Sequence, residues 1–168
     1  FYEWKYYRFT DSTLFAVLNV IGGFENSPYW DIAFQRNHIK TNSGTSGIGN
    51  AGAYVDSIET WNGTVFNNFD EIQTDFIYIA DTTITTFYNQ YDHSYYSGDT
   101  NSSLETWAKI DTTNNYTMTI SNNKFILRTA DQQNFYKFWV QDYYNSNNES
   151  GHVSVVFNLV CSSAECEN

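Results

Sequence analysis

The chain has 168 residues, of which only 16 % are charged while 19 % are aromatic, with 13 Phe, 14 Tyr and 5 Trp. That much aromatic area offsets chain entropy and excludes disorder, and with a single Pro and a single Met it favours pleated, half-buried strands. Eight Lys and Arg against 19 Asp and Glu leave a net charge of −11, which repels polyanions and anionic lipid surfaces and excludes nucleic-acid binding.

This length suits one domain with a sizeable core, and no linker or fixed-period repeat divides it. The chain opens on a strand-like segment in which Trp4 and Tyr6 face one way and Lys5 and Tyr7 the other. Any targeting or lipidation signal is therefore expected upstream of it. Trp30, Ile32 and Phe34 then alternate with Asp31, Ala33 and Gln35. The Gly-rich stretch Thr41–Ala53 has no Gly-Lys-Ser/Thr ending, no helix pattern after it and negative surroundings, so it is no phosphate cradle. It is expected to be a structural loop with several residues at positive φ.

Helix is expected only in short pieces, one of them around Asn67–Gln73. Phe76, Tyr78 and Ala80 oppose Ile77 and Ile79, and Met118 and Ile120 alternate with Thr117 and Thr119. Ser121-Asn122-Asn123-Lys124 predicts a tight hairpin turn joining Tyr116–Ile120 to Phe125–Arg128. Asp131–Asn134 separates that strand from Phe135–Asp142, and a polar loop, Asn145–Gly151, precedes a closing strand, Val153–Val160. The last third is thus expected as a four-stranded antiparallel meander, and the fold class as all-β, in a single domain over 1–168. No apolar run approaches the ~20 residues of a membrane-spanning helix.

Cys161 and Cys166 are the only cysteines. Without nearby His they make a poor zinc site, and a short disulfide loop is the expected arrangement in an oxidising compartment. No Gly-x-Ser-x-Gly elbow is present, and the acids scatter through turns, so nothing points to an enzyme. Iron and haem ligands come from His, Met, Tyr or Cys. His38, within a strand, is expected to face solvent, and His152 to lie on the surface. His93 differs, because Tyr88–Tyr96 is dense in aromatics. Asp92 can raise its basicity and the flanking rings can pack on a macrocycle; the plain alternative is an exposed turn histidine. Met118 on a strand is ordinarily core filler.

The run from Trp30-Asp31-Ile32-Ala33 through Arg36 and Asn42-Ser43-Gly44-Thr45-Ser46-Gly47 to Gly52-Ala53 resembles the signature of HmuY-like proteins. The opening strand Trp4–Phe9 is similar to that family's aromatic start. Phe125–Arg128, followed by Lys137 to Asp142-Tyr143, resembles its later hairpin. The likeness implies an all-β, grip-shaped lipoprotein of the outer membrane, cell surface or secreted pool in Bacteroidota. It further implies a carrier that captures haem b and passes it to a TonB-dependent receptor.

In such proteins two axial side chains hold the iron. The first ligand loop falls at Thr85–Tyr96 and implies His93. The second falls at Asp111 or Thr112, which bind haem iron poorly, with Met118 a few residues beyond as a substitute. Tyr91, Tyr95 and Trp107 would flank the macrocycle. The rival expectation is an accessory surface subunit of an outer-membrane transporter that keeps the scaffold without the cofactor; a carbohydrate-binding module rests on aromatic content alone. Asp-Ser/Thr triplets make Ser12, Ser57, Thr82 and Thr112 candidate O-glycosylation sites, and a glycan on Thr112 would obstruct the expected pocket.

Overall fold

The computed structural model describes residues 3–55, 76–89, 94–111, 113 and 117–162. In chain order the strands are β1 (Lys5–Thr10), β2 (Thr13–Val17), β3 (Ile32–Gln35), β4 (His38–Thr41), β5 (Gly52–Val55) and β6 (Thr82–Asn89). Then come β7 (Ser94–Thr100), β8 (Ala108–Asp111), β9 (Thr117–Ile120), β10 (Lys124–Arg128), β11 (Asn134–Tyr144) and β12 (Ser150–Ser162). Helix among the described residues is confined to 3-10 turns at Phe24–Asn26 and Leu104–Trp107, so the fold is all-β. The helix expected around Asn67–Gln73 lies outside the described residues.

Two four-stranded antiparallel sheets, ordered β2-β1-β3-β4 and β12-β11-β10-β5, pack face to face. Alternation along β1 and β3 decides what lies between them, because successive side chains point to opposite faces. Phe9 stacks on Tyr136 with ring centroids 4.5 Å apart, and Phe34 meets Phe138 at 6.3 Å. Ile32, Phe125, Leu127 and Val140 fill the rest of this core. Burying Phe138 completely contributes about 1.5–3 kcal/mol. The opposite face of β1 carries Tyr6, which stacks on Phe24 and meets Trp30 edge-on at 4.9 Å. Lys40 is buried there with its ammonium 4.5 Å from the Trp4 ring and 5.0 Å from the Tyr6 ring. Asp31 fastens the two sheets: Oδ2 accepts from the Phe9 N–H at 2.9 Å and Oδ1 from the Ala130 N–H at 2.8 Å.

The expected meander needs correction. β10, β11 and β12 do run as one, but the fourth strand beside β10 is β5, through pairs such as Phe125↔Val55. β9 leaves that sheet and pairs with β8 instead. Ser121 is the cause: its N–H and hydroxyl both donate to the Trp107 carbonyl, at 2.8 and 2.7 Å. Asn123 then donates to the Thr106 carbonyl at 3.0 Å. Ser121–Lys124 is therefore a passage between sheets, not a hairpin turn.

The Gly-rich loop is structural as expected, for a different reason. In Thr41–Ala53 only Gly44 has a positive φ, of 53°. Gly49 is required by close approach, since a Cβ there would strike the Asn42 backbone and the Ala130 side chain. Asn42, fully buried, donates to the Ser27 and Trp30 carbonyls at 2.8 Å each and accepts from the Gly49 N–H at 2.9 Å. Residues 76–79 keep their alternation with only a bridge between Ile79 and Ala53. Tyr78 packs on Phe135 beneath Arg128, while Ile77 is exposed.

Candidate functional site

Two hairpins, β6–β7 and β8–β9, stand apart from the large sheets as two-stranded pieces. A two-stranded hairpin alone is marginal in water, so each needs a fixed base. Asp81, immediately before β6, is buried and accepts from the Thr41 N–H at 2.8 Å, the Thr41 hydroxyl at 2.6 Å and the Asn101 amide at 3.0 Å. Burial pushes its carboxyl above the usual range, against the lowering pull of these donors. Asn101, immediately after β7, also donates to the Ile79 carbonyl at 2.7 Å. Its side-chain oxygen accepts from the N–H groups of Ser103 and Leu104 at 3.2 and 3.3 Å, at the start of the 3-10 turn. One asparagine thus closes the first arm and begins the second.

Along the first arm Thr83 donates to Asp99 at 2.6 Å, and a register shift between Ile84 and Phe87 bends the ladder. Phe87 is buried, stacked on His38 at 3.9 Å and against Tyr96 at 5.2 Å. His38 Nδ1 donates to Glu105 Oε2 at 2.9 Å, and Glu105 Oε1 accepts from the Ile39 N–H at 3.0 Å. His38 was expected to face solvent; the structure half-buries it in the hinge between β4 and the first arm. The alternation rule missed this because a third element, β6, covers that face.

The second arm rests on Trp107. Its indole N–H donates to the Asn37 carbonyl at 2.9 Å and its ring packs on Tyr143. At 2 % exposure it belongs to the core and offers no face to a ligand, which corrects its expected place beside a macrocycle. Met118 pairs across β8–β9 with Ile110, packs against the main core, and its N–H donates to the Tyr144 hydroxyl at 3.0 Å. Tyr95 on β7 is 67 % exposed and Ile110 on β8 is 45 % exposed.

Tyr91 and His93 fall in the connection between β6 and β7, outside the described residues, as do Ser57, Thr112 and Cys166. Cys161 lies on β12 opposite Phe135 and is disulfide-bonded. Ser12 is exposed in the β1–β2 turn; Thr82 is exposed too, but the Asp81 that precedes it is buried. His152 is exposed on β12. The sequence reading missed Asp81, Asn101 and Glu105. The available signal was Asp81 directly before a strongly β-prone run, Thr82–Tyr88; nothing local marked Asn101 or Glu105. No helix among the described residues is long and apolar enough to cross a membrane.

Known structures share this architecture. A Bacteroides vulgatus protein with a provisional HmuY-like haem-binding assignment superposes with a TM-score of 0.64 at 18 % identity, covering 92 % of this chain and 83 % of its own. The apo HmuY analog of Tannerella forsythia gives 0.62 at 19 % identity, covering 93 % and 88 %. A Bacteroides fragilis protein provisionally assigned as a lipoprotein gives 0.59 at 17 %, covering 92 % and 82 %. Likeness at such identity establishes the fold. No curated protein matches the chain. The family model described as HmuY protein matches residues 2–157, nearly the whole sandwich and both arms, and the chain belongs to that family.

Proposed function

We propose that this protein captures haem at its two arms and delivers it to a TonB-dependent outer-membrane receptor. The observation that carries this reading is membership of the HmuY family over residues 2–157, joined to two hairpins held on one hydrogen-bonded base. The haem-binding assignment of the Bacteroides vulgatus neighbour supports the same ligand class.

The described residues suit such a group. Tyr95 and Ile110 offer exposed aromatic and aliphatic surface on β7 and β8. Among the described residues no cluster of three or more metal-ligating side chains exists. A haem group would bring its own iron, held by axial donors from the chain. Bound haem supplies an iron with axial positions and two apolar faces. His93 is the proposed axial donor, with Tyr91 and Tyr95 flanking the ring. A lipid anchor upstream would hold the carrier at the cell surface, in keeping with the Bacteroides fragilis neighbour's assignment.

Stoichiometric haem should give a Soret band that His93→Ala diminishes; an unshifted haem spectrum with the wild-type protein removes this reading. The second reading, an accessory transporter subunit without cofactor, is favoured by the packing of Met118 on the core, which draws the substitute second ligand away from a ligand-facing position. A colourless native preparation that copurifies with a large outer-membrane barrel would support it.

A further inference from the structure

A cleft of about 570 Å³ opens between the two large sheets, lined by no residue of either arm, within the range of roughly 300–1,000 Å³ in which proteins hold small organic ligands. Its floor is formed by Tyr7, Phe34, Val153 and Val155, the half-buried fringe of the main core. The Tyr7 and Phe34 rings meet edge-to-face at 5.7 Å and leave apolar surface uncovered where β1 and β3 approach β12. Lys5, Arg36 and His152 line the cleft with a single carboxylate, Glu3. On a chain with net charge −11 and only eight Lys and Arg, this rim locally reverses the sign of the surface. Arg36 sits in the β3–β4 turn at φ 54°, a left-handed conformation that a non-glycine residue adopts at a cost, and its guanidinium hydrogen-bonds Tyr143.

An apolar floor beneath a cationic rim matches a molecule with a greasy body and an anionic head. We propose that this cleft binds a single-chain amphiphile with a carboxylate head, of the fatty-acid class, at a site separate from the arms. The chain lies against Tyr7, Phe34 and the two valines, and the head meets Lys5 and Arg36, while Glu3 disfavours a second negative charge.

Calorimetric titration of the full chain with decanoate, against 1-decanol as a neutral chain of equal length, tests this. One-to-one decanoate binding is expected, weakened about tenfold or more in Lys5→Gln and in Arg36→Gly, since each removes a charge-assisted contact. Glycine accepts the positive φ, so the second variant keeps the turn. Absence of decanoate binding, binding by both variants as tight as that of the wild type, or equally tight binding of decanol would overturn the proposal. Haem titration of the same variants separates the two readings: an unchanged Soret response with lost decanoate binding places the failure at the cleft alone. Decanoate binding without any haem response sinks only the haem-carrier reading.

Discussion

The Asn101 side-chain amide reaches Asp81 Oδ1 at 3.0 Å, joining the residue after β7 to the residue before β6. This contact closes the first arm at its root, and the same side chain caps the turn that leads into the second. Replacing Asn101 by Ala strips partners from the Ile79 carbonyl, from Asp81 and from two backbone N–H groups. A loss of about 2–4 kcal/mol in urea unfolding is expected, because buried polar groups left unpaired bear their desolvation cost. Hydrogen exchange in β6 and β7 should accelerate more than in β10 and β11. Uniform acceleration would show that the arm has no local stability of its own.

Asp81 makes a prediction about pH. Burial, the largest influence, raises its folded pKa above the ordinary value of 3.8. Between 3.8 and that raised value the folded state binds the proton more strongly than the unfolded chain does. The contribution is therefore fully present below 3.8 and is lost as pH rises through the folded pKa. Asp81→Asn should remove this falling component, so the stability of the wild type relative to the variant decreases as pH rises across the window. Denaturant midpoints measured at intervals from mildly acidic to neutral pH would show it; a wild type that gains on the variant as pH rises would mean the donors around Asp81 outweigh its burial.

Trp107 tests where the ligand surface ends. Trp107→Ala should cost about 3–5 kcal/mol through the cavity it leaves. Trp107→Phe should cost less, about 1–3 kcal/mol, chiefly because the Asn37 carbonyl loses its donor. The folded Phe variant should keep the wild-type haem spectrum. Loss of the Soret response in that variant, with folding intact by circular dichroism, would return the indole to the ligand.

Met118→Leu nearly conserves volume in a packed position and should change stability by less than about 1.5 kcal/mol. Its haem spectrum should match wild type, whereas a thioether ligated to iron would announce itself by a shifted Soret maximum in the variant.

Much of the sandwich was legible from local pattern. The two-residue period of a strand already separates Tyr6 from Tyr7, and it places Phe34 and Phe138 toward a core whatever the neighbouring strand. It carries no information about partners. Hence β5 beside β10 and β9 beside β8 came only with the fold, through contacts such as Ser121 to the Trp107 carbonyl.

The same division runs through the site. The aromatic loop holding His93 is written in consecutive residues, so its candidacy is a property of the sequence. The fates of Trp107, His38 and Asp81 depend on groups distant along the chain: the Asn37 carbonyl, the Phe87 ring and the Thr41 N–H. Sequence by itself determined strand character, surface charge and family signature, which arise from neighbouring residues. Tertiary structure alone decided which aromatics were buried and which polar groups found partners, because burial and hydrogen bonding are satisfied across space and not along the chain.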